Sequence, residues 1–152
     1  MEDLSLHILD IAENSIAAAA KKIEIIIDED KDKDLLTIEI IDNGNGMDQE
    51  TLKKALDPFF TTRTTRRVGL GLSLLAQAAK ESGGKMELNS KPHRGTIVKA
   101  TFRLSHPDCR PMGDITETIR TLITAHPEID FVYEHQKDNS IYRFDTRETD
   151  RK

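Results

Sequence analysis

Two isoleucine-rich runs constrain the fold of this chain more than any other feature of its sequence. Residues 22–28 and 35–42 are both rich in β-branched residues, and the second run alternates apolar and polar side chains. Such runs are typical of β-strands. The charged segment between them, residues 29–34, is most simply an exposed turn. We therefore expect these residues to form a β-hairpin.

Helical and strand patterns surround this hairpin. Apolar residues spaced three and four apart predict helices at residues 4–20, 48–56, 70–82 and 115–125. Short β-branched runs predict further strands at residues 85–90, 96–104, 131–134 and 141–144. Asp3 and Asp48 are the expected N-caps of the first two helices. Together these elements predict an α+β fold with its helices collected on one face of a β-rich sheet.

A change in composition predicts how the chain is divided. Residues 106–111 resemble a linker, which separates a main domain, residues 1–105, from a C-terminal αββ extension, residues 106–146. Residues 147–152 form a polar tail. The extension is too small to bury a core of its own, so we expect it to dock on the main domain, where it extends the sheet or forms a partner surface.

Composition also narrows the function classes. The formal net charge of −5 disfavours a broad nucleic-acid footprint. The single cysteine, Cys109, excludes a disulfide framework and a multi-cysteine metal site. The sequence shows no signal-peptide pattern and no apolar stretch of membrane-spanning length. We therefore expect a cytoplasmic protein with neither a nucleic-acid nor a membrane partner.

Two motifs in the first third of the chain contain residues suited to chemistry. Asp10 and Asn14 lie one turn apart on the first helix, where an amide oxygen suits Mg²⁺ and a carboxylate can orient a water. Taken alone, the pair is better explained as a solvated helix face. Asp42, at a strand end, can accept from an adenine amine, while Gly44 and Gly46 allow a flat ligand to approach the backbone. The alternative interpretation is that these residues only form a tight turn that leads into the next helix.

Two further motifs lie in and after an irregular stretch, residues 57–68. Phe59–Arg63 combines apolar rings with threonine and arginine, and Arg66 and Arg67 add charge, which suits a lid over phosphates. The alternative interpretation is that this stretch is an ordinary exposed loop. Gly69–Leu72 opens a helix, where free backbone N–H groups suit a triphosphate. Close packing of the helix start against the sheet would also explain these glycines.

In this order, the four motifs resemble the N, G1, F and G2 boxes of the GHKL family of ATP-binding domains. The matching segments are residues 10–15, 42–47, 57–62 and 69–72. The resemblance implies the Bergerat fold, a two-layer α/β sandwich with helices on one face of a mixed, mostly antiparallel sheet, here followed by the small αββ extension. The F box is similar to that of histidine kinases, whereas the Asn14-Ser15 pair is similar to the MutL-type spelling.

The resemblance also implies roles for individual residues. Asn14 would coordinate Mg²⁺, and Asp42 would accept from adenine N6. The other implied nucleotide-binding residues are Gly44, Gly46, Met47, Thr62, Arg63, Gly69, Leu70, Gly71 and Leu72. Asp10 stands where ATP-hydrolysing members have a glutamate, which makes it the candidate base or water-orienting group. Because aspartate is one methylene shorter, slow turnover or none is compatible with this position.

Two functions from different classes remain open at this point. The first is a stand-alone, regulatory Mg-ATP-binding domain of histidine-kinase type that transfers the γ-phosphoryl group to a separate protein partner, as the anti-sigma serine kinases of this superfamily do. A slow ATPase would share its residues. The second is a nucleotide-gated binding module, in which ATP orders the lid for partner recognition without transfer. Either function is compatible with a monomer or a homodimer.

Overall fold

The structure is a computed structural model that describes residues 3–56, 70–109 and 111–149. Helices and strands follow the order expected of an α+β chain. In sequence they are α1 (Leu4–Ala17), β1 (Lys22–Asp30), β2 (Leu35–Asp42), α2 (Gln49–Leu56), α3 (Leu70–Glu81), β3 (Lys85–Ser90), β4 (Thr96–Arg103), α4 (Ile115–Ala125), β5 (Asp130–Lys137), β6 (Ser140–Asp145) and α5 (Thr146–Thr149). None of the helices described is both long and apolar enough to cross a membrane.

The strands form one open, six-stranded sheet in the order β3-β4-β2-β1-β5-β6. All neighbouring pairs are antiparallel except β1 and β5, which run parallel. The sheet is therefore mixed and mostly antiparallel, which confirms the predicted fold class. β1 and β2 occupy its centre, so each of them is paired on both sides.

The core lies between one face of this sheet and the helices. Alternate residues of the central strands are buried on that face: Ile23, Ile25, Ile27, Leu36, Ile38 and Ile40. Leu4, Ile8 and Ile11 of α1 and Leu75 of α3 belong to the same cluster. Apolar residues recur every second position in the strands and every third or fourth in the helices. The apolar face of the sheet therefore packs against the apolar stripes of the helices. Both expected N-caps are confirmed, because Asp3 accepts from the N–H of Leu6 and Asp48 from that of Thr51.

The first helix is shorter than its sequence predicts. Periodicity extends it to Ala20, but α1 ends at Ala17, and Ala19 has a positive φ of 66°. The Ala18 carbonyl accepts a hydrogen bond of 2.7 Å from the N–H of Asn45 instead of serving another helical turn. A tertiary contact therefore overrides the high helix propensity of four consecutive alanines.

The C-terminal elements join the same sheet. β5 pairs with β1 from Lys22 opposite Asp130 to Glu29 opposite Lys137, and β6 returns beside β5. Helix α4 packs on α1. The expected αββ order after residue 105 is confirmed, whereas the division into separate domains stays a prediction. The short helix α5 covers the start of the segment predicted to be a polar tail.

Two histidines link the C-terminal elements to the rest of the chain. His126 lies 3.1 Å through Nε2 from Oε1 of Glu13 on α1. His135 lies between Glu29, 2.6 Å from its Nε2, and the Tyr133 hydroxyl, 2.9 Å from its Nδ1. Burial, with the nearby Tyr142 and Glu29, raises the pKa of Tyr133 to about 12, so its hydroxyl stays protonated. Sequence inspection assigned no such contact to either histidine.

Phe131→Ala tests whether β5 belongs to the core. Phe131 is 1% exposed, so truncation should lower the free energy of unfolding by about 3–5 kcal/mol through lost burial and a residual cavity. Urea unfolding followed by circular dichroism measures this change. Ile97→Ala, at a residue 40% exposed on β4, is the control and should cost no more than about 0.5 kcal/mol. Equal effects of the two substitutions would contradict the packing of β5.

Candidate functional site

The candidate site is built around Asp42, at the end of a central strand. β2 lies between β4 and β1, and Asp42 is paired with Thr96 on one side and Ile23 on the other. Since Ile38 and Ile40 face the helices, Asp42 lies on the same face two residues further on. The strand thus carries a half-buried carboxylate to the edge of the core, directly beneath α1.

The protein fixes the orientation of the Asp42 carboxylate. Its Oδ2 accepts a hydrogen bond of 2.6 Å from the Ser15 hydroxyl, and its Oδ1 accepts one of 2.8 Å from the N–H of Gly44. The Ser15 hydroxyl is also 3.3 Å from the Ile11 carbonyl, but its single proton favours the shorter bond to the carboxylate. Each carboxylate oxygen retains acceptor capacity. Asp42 is therefore a positioned acceptor for one further donor.

The turn after Asp42 is held between α1 and the β3–β4 turn. The N–H of Asn45 donates to Ala18, and the Asn45 carbonyl accepts a bond of 2.6 Å from the N–H of His93. At Gly44, a Cβ would lie 2.8 Å from the Ala18 carbonyl oxygen. At Gly46, φ is +71° and a Cβ would collide with the Lys91 carbonyl. Both glycines are thus needed for close backbone approach within the protein itself.

Met47 follows this turn and is anchored by Ser90. The N–H of Met47 donates a bond of 2.8 Å to the Ser90 hydroxyl, which in turn donates to the Gly95 carbonyl at 2.9 Å. The Ser90 oxygen also lies 2.8 Å from the Thr96 hydroxyl. The strand pairing places Thr96 next to Asp42 on the same face of the sheet. Met47 is therefore tied through Ser90 to Thr96, the strand neighbour of Asp42.

Asn14 and Asp10 lie on α1, and Asn14 immediately precedes Ser15. The Nδ2 atom of Asn14 is buried and has no hydrogen-bond partner among the described residues. This N–H group can donate to a ligand such as a phosphate oxygen. The side-chain oxygen of the same amide is the ligand type that Mg²⁺ binds. Asp10 lies one turn before Asn14 and is half-buried.

A ready-made cluster of metal ligands is absent from the part of the chain that is described. There, no group of three or more His, Cys, Asp or Glu side chains is placed to hold a metal ion. Mg²⁺ is usually bound through one or two protein ligands together with substrate phosphates and water. Asn14 therefore fits a metal that arrives with a nucleotide.

The motifs predicted to bind phosphate are covered only in part. Thr62, Arg63, Arg66, Arg67 and Gly69 lie outside the described residues. Leu70 and Gly71 open α3, which confirms the predicted helix start. Leu72 is 5% exposed and its side chain belongs to the core. Only the backbone of Leu72 is thus available for a phosphate.

Sequence reasoning missed two residues next to Asp42. From the sequence, Ser15 is given no role beyond its place in the segment that resembles the N box, and Thr96 is placed only in a predicted strand. A serine in an otherwise apolar stripe, one residue after Asn14, was the available signal for Ser15. Thr96 carried no comparable signal, because its place beside Asp42 depends on the pairing of β2 with β4, which are far apart in sequence.

Comparison with known proteins points to one family. A family model described as histidine kinase-, DNA gyrase B-, and HSP90-like ATPase matches residues 2–106. The nitrogen regulation protein NtrY of Azorhizobium caulinodans is 39% identical over 83 residues, which are 54% of this chain and 11% of that protein. The sensor protein kinase FleS of Pseudomonas aeruginosa is 36% identical over 110 residues, 72% of this chain and 27% of that protein. This chain thus corresponds to a minor part of either relative.

A solved structure shows the same fold. The topoisomerase IV ATP-binding domain of Francisella tularensis, solved in complex with a small-molecule inhibitor, superposes with a TM-score of 0.55. The match covers 94% of this chain and 87% of that one, at 14% sequence identity. At this identity the likeness concerns the fold alone, while the family model covers more than half of the sequence. The chain therefore belongs to the family of histidine kinase-, DNA gyrase B- and HSP90-like ATPases.

Proposed function

We propose that this chain binds ATP together with Mg²⁺ and transfers the γ-phosphoryl group to a separate protein partner in the cytoplasm. The observation that carries the proposal is the Asp42 carboxylate, fixed by Ser15 and Gly44 at the edge of the core with acceptor capacity left over. Family membership supports nucleotide binding, and the sensor-kinase relatives support kinase-related chemistry.

Asp42 accounts for a preference for adenine. The exocyclic amine of adenine donates a hydrogen bond, and a carboxylate only accepts. Guanine presents a carbonyl oxygen at the corresponding position, so two acceptors would face each other. Leaving a buried acceptor unsatisfied costs more than an average hydrogen bond contributes. Asp42 therefore selects ATP over GTP, with Gly44, Gly46 and Met47 shaping the pocket around the base.

The phosphate side of the proposed site is formed by the N-terminal part of α3 and by Asn14. The first turn of an α-helix has unsatisfied N–H groups and the positive end of its dipole, and both attract anions. Asn14 would hold Mg²⁺ through its side-chain oxygen, and the bound ion would neutralise charge on the phosphates. In this proposal Thr62 and Arg63 of the lid approach the nucleotide, as do the backbone groups of Gly69, Leu70 and Gly71.

Phosphoryl transfer depends mainly on positioning and on charge neutralisation. Asp10 lies on the same helix as Asn14, one turn away, where a carboxylate can accept a proton from the attacking hydroxyl or orient a water.

A second candidate function follows from the same residue. Because an aspartate reaches less far than a glutamate, ATP binding without turnover would leave a nucleotide-gated module whose ordered lid binds a partner.

Asp42→Asn tests the adenine contact. The amide turns part of the acceptor into a donor that faces the adenine amine, so the dissociation constant for ATP should rise by about 10- to 100-fold. Isothermal titration with ATP, and with GTP for comparison, measures this change. Asp28→Asn, on the opposite face of the sheet, is the matched control and should leave ATP affinity unchanged. An unaltered affinity in the Asp42 variant would refute its assignment.

Asn14→Ala tests the metal contact. Without the amide oxygen, ATP affinity should no longer depend on added Mg²⁺, while thermal unfolding of the free protein stays close to that of the wild type. Titrations with and without Mg²⁺ measure the dependence. Asn14→Asp, which keeps an oxygen ligand, should restore it, and Asn139→Ala in an exposed turn serves as control. A retained metal dependence in Asn14→Ala would place the ion elsewhere.

Asp10 separates the two candidate functions. If Asp10 acts as a base or orients a water, Asp10→Ala should reduce phosphate release from ATP by about 10²- to 10⁴-fold while ATP affinity changes little. Asp10→Glu should raise it, since the longer side chain reaches further. Release of inorganic phosphate under saturating Mg-ATP gives the rate. Absence of turnover in the wild type and in Asp10→Glu, with ATP still bound, would favour the nucleotide-gated module.

A further inference from the structure

Strand β6 forms one edge of the sheet and exposes large apolar side chains. In the described part of the chain it is paired on one side only, with β5. Ile141 and Tyr142 are 65% and 56% exposed, more than any other large hydrophobic residue described. An edge strand with exposed apolar residues is a template for pairing with another strand. Neither residue contributes to the candidate nucleotide site.

The β5–β6 turn determines which backbone groups point away from β5. Lys137 pairs with Ser140 across a two-residue turn, so these two residues form a hydrogen-bonded pair. Alternation along the strand then directs the backbone of residues 140, 142 and 144 towards β5. The N–H and C=O groups of residues 141, 143 and 145 point towards the open edge.

This alternation limits how a second copy of β6 can pair with the first. A two-fold antiparallel pairing must centre on a residue, because the outward backbone groups have to face each other. Centres at Tyr142 or Arg143 give the longest overlap of two β6 strands. Centring on Arg143 would place two guanidinium groups directly opposite, which is unfavourable. Centring on Tyr142 sets the two tyrosines side by side as a non-hydrogen-bonded pair and places Ile141 opposite the stem of Arg143.

The surroundings of Tyr142 favour this arrangement over pairing with a charged peptide. The Tyr142 ring packs 5.8 Å from the Tyr133 ring, which holds it in place while more than half of it stays exposed. Arg143 is paired across the strands with Glu134 and lies 3.8 Å from Asp145, which Arg147 contacts at 2.7 Å. Two guanidinium groups and two carboxylates thus balance within the chain. The edge therefore offers an aromatic surface complementary to itself, without net charge to attract an acidic or basic strand.

We propose that two copies of this chain associate by antiparallel pairing of their β6 strands, around a two-fold axis at Tyr142. The interface is isologous, so each copy contributes the same residues and the assembly closes as a dimer. The six-stranded sheet then continues from one copy into the other, and Tyr133 and Tyr142 of both copies form one aromatic cluster. This inference does not depend on nucleotide binding.

Sedimentation equilibrium of the full chain tests the dimer. The wild type should show a monomer–dimer equilibrium, and Tyr142→Lys should raise its dissociation constant by about tenfold or more, because two ammonium groups replace the stacked rings. Leu6→Lys, at a residue 44% exposed on α1, is the matched control and should leave the equilibrium unchanged. A wild type that stays monomeric, or a dimer insensitive to Tyr142→Lys, would overturn the proposal.

Disulfide cross-linking tests the register independently. In a Cys109→Ser background, Tyr142→Cys should form a covalent dimer with oxidised glutathione, because cysteines in a non-hydrogen-bonded pair lie within disulfide distance. Arg143→Cys should not, since its counterpart is a diagonal neighbour about 7–8 Å away. Cross-linking through Arg143→Cys alone, or through neither variant, would overturn the register at Tyr142.

Discussion

The hydrogen bond from Ser15 to Asp42 joins the two halves of the candidate site. Helix α1 supplies Asn14 and Ser15, and the end of β2 supplies Asp42, so this 2.6 Å contact fixes the helix against the sheet where the ligand would bind. A hydroxyl-to-carboxylate bond is among the stronger hydrogen bonds in proteins. A bond between Ala18 and Asn45, and one from His93 to Asn45, continue the connection to the β3–β4 turn. Within the described residues, the candidate site is thus held in place by the protein's own hydrogen bonds.

Periodicity and turn chemistry were sufficient to predict most of the local structure. The apolar spacing in α1 and α3 and the alternation in β2 are local signals, and the structure confirms the elements they predicted. The order of four motifs was likewise visible in the sequence and led to the correct family. Roles at Asn14, Asp42 and the lid residues stay predictions, although the structure places Asn14 and Asp42 on adjoining elements.

Features that depend on distant pairing were beyond such reasoning. Nothing in residues 131–134 indicates that they lie parallel to β1 rather than beside another strand. The end of α1 was predicted three residues too late because alanines favour helix. In the folded chain, the bond from Asn45 to Ala18 replaces the next helical turn, and the helix ends at Ala17. Thr96 was overlooked for the same reason, since its position beside Asp42 arises only from the register of β2 with β4.

The parallel pairing of β1 with β5 has a consequence for synthesis of the chain. β1 ends at Asp30, and its partner begins at Asp130, so about a hundred residues must be translated before this edge of β1 is covered. At a typical 5–20 residues per second, that interval is about 5–20 s. During it, an isoleucine-rich strand leaves the ribosome with one side unpaired, and that side is open to non-native strand pairing until β5 has been made.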